Sequence, residues 1–493
     1  MQRLKSTIHS TLGKTIRARF NCPAFKCLRE HLAQDRHAEQ FAFGLFSQAK
    51  TADGATLIVR DLFLPDEGDL SEQSGGGVAP TKEFQSIVYL LAEQRGLGIM
   101  DIHTHPHQGA PRFSGIDQAR SAANARYICE RFAAPATHAM IVFGSDITAH
   151  DAVVFDRSLE GYRMIDAIDV LGRGTQLRLS GERGADVTCD SRYSRQAMIP
   201  GWDQLAVARQ RIVIAGAGGN GAQIMQTLVS IGAGTEGWIA VADPDSIEES
   251  NLPRIPYAYP EHIGSPKVTV AAQYAGHKNS AVRFYPYPCS ITEEVVADRV
   301  KAATVLIGAG DNDGLRKVCN ELAVRHQIPY IDLGCDIQVD EHRIAAGGQA
   351  RLILPGVNAC LVCCNGYDPS QAAIDLMDDE RAAVHAARGY VRGGKQTTPS
   401  VANLNAHTAQ LGVAVFLALV QGGLFGEWDY AHFDQLSGET IVARTKRRED
   451  CPLCGKYGVL AMGDQNEARV ASEPSWARVA TDEEQEVKDT LGV

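Results

Sequence analysis

Arg211-Ile-Val-Ile-Ala215, followed at once by Gly216-Ala-Gly-Gly-Asn-Gly221, admits few folds. A short apolar run that stops at glycine reads as a buried strand. Gly216, Gly218, Gly219 and Gly221 supply a sharp turn that lets backbone approach a ligand, and Ala222 to Ile231 continues with helical spacing. Trp238 to Ala242 reads as the next strand and ends at Asp243. Strand, glycine turn, helix and an acidic residue roughly two dozen positions on make a Rossmann-like nucleotide-binding unit. That pattern fits a dinucleotide oxidoreductase as well as an adenylating enzyme. Asp245, Asn251, Arg254 and Lys267 follow, then a strand at Ala303–Gly308 and Asp311. To activate a carboxylate, an enzyme holds ATP with its α-phosphate exposed, neutralises the phosphates with Arg and Lys, and places magnesium with an aspartate. A dehydrogenase uses Asp243 for its ribose but has no use for the Asn-Arg-Lys set.

From about Arg192 to Gly455 this set resembles the ThiF-type adenylating domain of ubiquitin-activating enzymes and of the bacterial sulfur-carrier adenylyltransferases. The resemblance implies that Asp243, with Asp245 beside it, holds the ribose. Asn251, Arg254 and Lys267 would contact phosphates, and Asp311 would bind Mg2+. Gly216, Gly218, Gly219 and Gly221 would line the nucleotide. Arg195 would reach into the ATP site of a partner subunit, which implies a homodimer. Cys360-Leu-Val-Cys363 and Cys451-Pro-Leu-Cys454 have the spacing of a closed, structural Zn2+ site, with disulfides as the alternative in an oxidising setting. One departure concerns the thioester cysteine that many relatives carry near this point. Gly393-Gly-Lys-Gln-Thr-Thr-Pro-Ser400 has threonine instead, which leaves Cys364, Cys335, Cys319 and Cys289 as weaker candidates.

The first 165 residues hold a second cluster, His103-Thr-His-Pro-His-Gln-Gly-Ala-Pro-Arg-Phe-Ser-Gly-Ile-Asp117, after a strand at Gly98–Ile102. Histidines at i and i+2 on a strand share a face and can reach one ion. Ser114 is a candidate cap for a helix with Asp117 in its first turn. Two imidazoles and a carboxylate suit catalytic Zn2+, whose fourth position is left for water. These residues resemble the JAMM (JAB/MPN) metallopeptidases, many of which cut ubiquitin-like proteins at or near their C-termini. The resemblance implies a cytidine-deaminase-like α/β domain with His103, His105 and Asp117 as ligands. Ser114 would steady the oxyanion and Glu39 would be the general acid/base. The gap from His105 to Asp117 is one residue longer than usual, and Glu39 lies slightly further from Gly44.

The 493 residues exceed one core and suit two or three domains. The expected order is a JAMM α/β domain at 1–165, a linker at 166–190, a ThiF-type domain at 191–460 and an acidic tail at 461–493. Helices are expected at Cys27–Leu32 and Glu83–Arg95, strands at Phe41–Phe46 and Thr56–Phe63, and a polar surface loop over Asp66–Pro80. No apolar run approaches a membrane span, and Leu411–Leu419 reads as a buried helix. The basic first 29 residues read as solvated secondary structure, with a faint likeness to a transit peptide. A net charge of -11 gives no general reason to bind nucleic acid or an anionic membrane. The expected setting is the cytoplasm of a bacterium.

The expected activity is ATP-dependent adenylation of the C-terminal glycine of a ubiquitin-like or sulfur-carrier protein, coupled to its zinc-dependent processing or deconjugation. A conjugating enzyme or sulfurtransferase would take the product. The alternatives are adenylation of a small or RNA-borne carboxylate, and a non-catalytic scaffold with an inactive peptidase half.

Overall fold

The structure, a computed structural model, describes residues 15–159, 161–173, 176–179, 190–339, 344–377, 399–422 and 424–465. The threonine-containing stretch at 393–398 and nearly all of the expected acidic tail lie outside them.

The first half runs β1 (Thr15–Asn21), α1 (Cys22–Leu32), β2 (Phe41–Thr51), β3 (Gly54–Phe63), β4 (Leu70–Ser74), β5 (Gly77–Pro80), α2 (Lys82–Arg95), β6 (Gly98–Thr104), α3 (Gly115–Arg131), β7 (His138–Phe143), β8 (His150–Phe155), β9 (Tyr162–Met164), β10 (Ala167–Leu171) and β11 (Gln176–Leu179). Among the described residues these form a nine-stranded sheet, ordered β11-β10-β1-β3-β2-β6-β7-β8-β9, plus the β4–β5 ribbon. Apolar clusters cover both faces, one around Phe20, Phe46 and Ile102, the other around Phe43, Leu45 and Ile99. That is the outcome expected of strands that alternate between two buried faces.

Two expectations are corrected here. Asp66–Pro80 is not only a loop: Leu70–Ser74 pairs antiparallel with Gly77–Pro80. The ribbon's first strand is almost wholly exposed, so it lacks the alternation that would have marked it. The stretch expected as a linker contains β10, whose Ala167–Leu171 is buried beside β1. Flanking glycines hid this five-residue strand.

The second half runs α4 (Gln204–Ala208), β12 (Arg211–Ala215), α5 (Gly219–Ser230), β13 (Trp238–Ala242), α6 (Lys267–Lys278), β14 (Phe284–Tyr287), α7 (Glu294–Lys301), β15 (Val305–Gly308), α8 (Asp313–His326), β16 (Tyr330–Val339), β17 (Ile344–Ile353), α9 (Pro369–Asp375), α10 (Ala402–Val420), β18 (Tyr430–Asp434) and β19 (Thr440–Ala443). The sheet order is β14-β13-β12-β15-β16-β17-β18-β19. β14 to β16 pair in parallel, and β17 to β19 extend the sheet antiparallel. Chain order reverses between β12 and β15, the switch point at which doubly wound sheets open a crevice at their carboxyl ends. By length and composition α10 would suffice to cross a membrane, but 61% of its most apolar window is buried inside the protein, against α5, β16 and β17.

The halves share a core: Ala49 and Ile58 pack with Val213, Val300 and Ile328. Arg19, fully buried, donates to the carbonyls of His326 (2.8 Å), Lys301 and Ala303 (both 3.0 Å). Arg211 pairs with buried Asp169. Arg299 reaches Asp53 at 2.9 Å and stacks over Trp238 and Tyr285.

Candidate functional site

The first site is assembled by three backbone devices. Gln40 N–H donates to Thr104 Oγ1 (2.9 Å), and His105 N–H donates to Phe143 O (2.8 Å), fixing the end of β6. Glu39 N–H donates to Ser74 O (2.8 Å), which ties the residue before β2 to the β4–β5 ribbon. Ser114 caps α3 reciprocally: Asp117 N–H donates to Ser114 Oγ (3.1 Å), and Ser114 N–H to Asp117 Oδ2 (2.7 Å).

These devices bring Glu39, His103, His105 and Asp117 together. Asp117 Oδ1 lies 3.5 Å from His103 Nε2, and its Oδ2 3.5 Å from His105 Nε2. Glu39 Oε1 is 3.7 Å from His105 Nε2. Ligand atoms of Glu39, His103 and His105 all fall within 4.8 Å of one another. Separations of 3.5 Å are long for hydrogen bonds, yet they suit atoms arranged about an ion held at roughly 2.0–2.2 Å from each. Nε2 of His103 is buried and has no hydrogen-bond partner. Such an orphaned donor atom fits a metal ligand.

The electrostatics differ by residue. Burial pushes the Glu39 carboxyl up, against the pull of both histidines. Burial would raise Asp117 as well, but His103, His105 and Ser114 outweigh it and hold its carboxyl far below the usual range. His105 is raised, chiefly by its contact with Asp117. One carboxyl is thus poised to carry a proton while the other stays ionised. A cavity of about 250 Å3, bordered by Gly75–Gly77 of the ribbon, exposes Glu39, His105, Ser114 and Asp117.

The second site is a cavity of about 740 Å3 at the carboxyl ends of β12, β13, β15 and β16. Gly216, Gly218, Gly219, Asp243, Asp245, Arg254, Lys267 and Asp311 all line it. Gly216 holds φ +104° and faces Ala309 and Gly310 so closely that a Cβ would lie 2.9 Å from Gly310 N. Gly218 has nothing within 4 Å of such an atom, so its backbone is open to the cavity. Asp243 accepts from Ala217 N–H (2.6 Å) and Asp245 N–H (2.9 Å), locking the glycine turn to the second strand. Burial pushes its carboxyl up, against Lys267. Lys267 Nζ sits 2.8 Å from Asp245 and 3.9 Å from Asp243.

Three sequence candidates stand apart from this wall. A Cβ on Gly221 would lie 1.9 Å from Gly216 O, so Gly221 seats α5 against the turn. Asn251 is buried, and its Oδ1 accepts from Glu248 N–H (3.2 Å), bracing the loop that carries Arg254. Arg195 is exposed, beside the short turn Gln196–Met198. Conversely, the cavity takes in Asn220, Arg316, Cys335 and Asn405. Asn405 donates to Asn220 Oδ1 (3.0 Å) and to Cys335 Sγ (3.2 Å). Asn220 and Arg316 lie inside motifs visible in the sequence, whereas Asn405 is brought in from α10 by the fold alone.

The four cysteines converge as well. Sγ separations are 3.7 Å (Cys360–Cys363), 3.6 Å (Cys360–Cys451) and 3.5 Å (Cys363–Cys454). Four sulfurs tetrahedral about zinc at about 2.3 Å would lie about 3.8 Å apart, so the set fits that ion. Arg448 N–H points at Cys363 Sγ (3.4 Å).

A doubly wound sheet with this glycine turn and a crevice walled by lysine, arginine and aspartate defines a nucleotide-binding α/β domain of the adenylating kind. Residues 193–453 match the ThiF family, and the chain belongs to it. The SAMP-activating enzyme E1 of Haloferax volcanii is 27% identical over 286 residues, covering 57% of this chain and 94% of that protein. The sulfur carrier protein adenylyltransferase of Thermus thermophilus is 34% identical over 138 residues, 27% of this chain and 49% of that protein. The adenylyltransferase and sulfurtransferase MOCS3 of Mus musculus is 26% identical over 281 residues, 56% of this chain and 55% of that protein. The chain thus spans about half the length of the latter two.

Proposed function

We propose that the second half adenylates the C-terminal glycine of a ubiquitin-like or sulfur-carrier protein, and that the first half is a JAMM-type peptidase that trims or releases the same protein. The observation that carries the adenylation is one cavity, in a ThiF-family domain, walled by Arg254, Lys267, Asp243 and Asp311. In this reading ATP lies over the glycine turn with Asp243 toward its ribose. Lys267 and Arg254 neutralise phosphate charge that moves onto pyrophosphate as the carboxylate attacks the α-phosphorus. Asp311 would hold Mg2+, which screens that charge when bound. Arg195 would complete the site of a partner subunit in a homodimer. Gly393–Ser400 carries threonine where many relatives carry a thioester cysteine, so the adenylate itself would be the product this half hands to a sulfurtransferase or conjugating enzyme, with Cys335 in the cavity as the weaker thioester candidate.

The peptidase reading rests on the convergence of Glu39, His103, His105 and Asp117. The histidines and Asp117 would hold a zinc ion, which when bound supplies an acidic water and polarises a peptide carbonyl. Glu39, its pKa raised by burial, would take up a proton and pass it to the leaving amine. Ser114 borders the same cavity and would donate its hydroxyl to the developing oxyanion. Cys360, Cys363, Cys451 and Cys454 would hold a second, structural zinc.

The test is ATP–pyrophosphate exchange with the small Gly-Gly-ending proteins encoded beside the gene, together with zinc content. Exchange that depends on one such protein and two zinc ions per chain are expected. Absence of exchange with all of them overturns the adenylation. A His103→Ala protein that keeps both zinc ions overturns the peptidase.

A further inference from the structure

A second cavity, of about 300 Å3, adjoins the histidine cluster and is bordered by Val78–Pro80 of the ribbon. His103 and Asp117 form one wall, and Asp101, Ser121, Asn124 and Phe43 line its depth. Asp101, His103 and His105 follow one another at i, i+2 and i+4, so all three face the same side of the sheet. Asp101 therefore stands one step behind the first histidine, a reach that an extended side chain spans.

Asp101 is an unusual residue for that position. Its side chain is 13% exposed. Oδ2 accepts from Asn124 Nδ2 at 3.1 Å, while Oδ1 is buried with no hydrogen-bond partner. The ring of His138, fully buried, comes within 3.6 Å. Ser121, 1% exposed, also lines the cavity with an unpartnered Oγ. Arg120 also lines the cavity, with its guanidinium engaged by Val78 O (3.0 Å) and Glu72 (3.7 Å). Buried carboxylate oxygens are normally satisfied. Here the cavity holds one carboxylate oxygen and one hydroxyl that lack partners, beside apolar walls from Phe41, Phe43 and Met140. Apolar walls with an anionic end match an aliphatic stem that ends in a cation.

We propose that this cavity is a specificity pocket for a lysine or arginine side chain next to the scissile bond, with Asp101 as its recognition residue. This rests on the peptidase reading above. If the acyl side of the bond is Gly-Gly, it carries no side chain to fill a pocket. The occupant then belongs to the first residue on the leaving side. The pocket would favour carrier precursors whose extension begins with a basic residue.

The test uses the full-length, zinc-loaded protein and synthetic peptides containing Gly-Gly-X-Ala, with X as Lys, Arg, Gln, Ala or Glu. Cleavage is measured on the wild type, and binding on Glu39→Gln by anisotropy of labelled peptides. The Lys and Arg peptides should exceed Ala by about tenfold or more in kcat/KM and in affinity, with Glu the weakest, as a buried charge contact requires. In Asp101→Asn the Lys-to-Ala ratio should fall to within about twofold of unity. This ratio is insensitive to a general loss of activity. If Asp101→Asn does not fold, the wild-type series decides alone. Cleavage with no preference for a cation, or a preference that survives Asp101→Asn, overturns the pocket and leaves the peptidase standing. Cation-selective binding with no cleavage of any peptide overturns the peptidase and keeps the pocket. Neither cleavage nor selective binding overturns both.

Discussion

The two clusters able to hold a metal are built on opposite principles. Cys360, Cys363, Cys451 and Cys454 bring loops 91 residues apart to one point, are buried, and present only sulfur. Glu39, His103, His105 and Asp117 stand at the ends of elements that pair and pack regardless, and they open onto two cavities. The first arrangement suits an ion that would hold the chain together. The second is held by β2, β6 and the capped α3, and leaves room for a ligand. On the proposed reading one is architecture and the other is chemistry.

Metal removal gives the largest expected contrast. Cys451→Ser should release one zinc and lower stability steeply, because structural zinc contributes about 10 kcal/mol of apparent folding energy in small domains. His103→Ala should release the other zinc, shift the unfolding midpoint by no more than about 2 kcal/mol, and abolish cleavage. Zinc analysis paired with urea unfolding reads both. If the two variants lose stability equally, the distinction between architecture and chemistry fails.

Next in size is Lys267→Ala. Removing the cation that faces Asp243 and Asp245 should reduce ATP–pyrophosphate exchange by roughly 10²–10³-fold, the usual cost of losing one charge-stabilising group. Cleavage by the other half should stay unchanged, so assaying both activities on one preparation isolates the nucleotide cavity.

The seam between the halves comes third. Arg19→Met keeps the stem but strips three buried carbonyls of their donor. A loss of about 3 kcal/mol is expected in equilibrium unfolding. A loss confined to one half's transition would show that the halves unfold independently.

A smaller effect, common to both halves, concerns pH. Burial pulls the His138 pKa down to about 3 and that of His326 well below its ordinary value. The unfolded chain therefore binds protons more tightly. The share of stability that these two histidines carry is complete above about pH 6.5 and falls as pH drops toward the folded values. Between pH 6.5 and 5 each histidine should cost about 1–2 kcal/mol, and His138→Asn should remove roughly half of the slope. An unchanged slope in that variant would locate the acid sensitivity elsewhere.

Much of this was legible in the sequence where pattern and structure share a period. Arg211–Ala215 and Trp238–Ala242 are strands with the bounds their apolar runs suggest, and His103, His105 and Asp117 meet as strand alternation and a helix cap imply. The β4–β5 ribbon was not legible, because an exposed strand needs no apolar alternation. Nor was Asn405, which reaches Asn220 across 185 residues. Asp101 shares its strand with the histidines, but its meaning comes from the cavity in front of it, and cavities have no linear signature.

The smallest expected effect is none at all, and it follows from where the seam lies. Besides the Asp169–Arg211 and Arg173–Asp429 pairs and the bond from Gln465 to Gly96 O, the first half touches the second through Ser47 to Asp53 near the end of β2, with Arg19 and Val59 beside them. The histidine cluster is at the other end of β2, about six residues or roughly 20 Å from Ser47. On the second half the seam touches Arg211, Lys301, Ala303 and His326, which lie at or just before the starts of β12, β15 and β16, and Asp429 just before β18. The nucleotide cavity is at the ends of those strands, another 13 Å or so away. A shared core and buried arginines join the halves along this seam. If the two proposed activities share one carrier, its tail docked at one site is expected not to reach the other within the same protomer, and the carrier leaves between the two steps. Mixing Glu39→Gln protein with Lys267→Ala protein should then convert a precursor to its adenylate as fast as the same active-site concentrations of wild type. A mixture several-fold slower at dilute carrier would mean that the carrier is passed between sites without release, through a partner subunit or a movement of the halves.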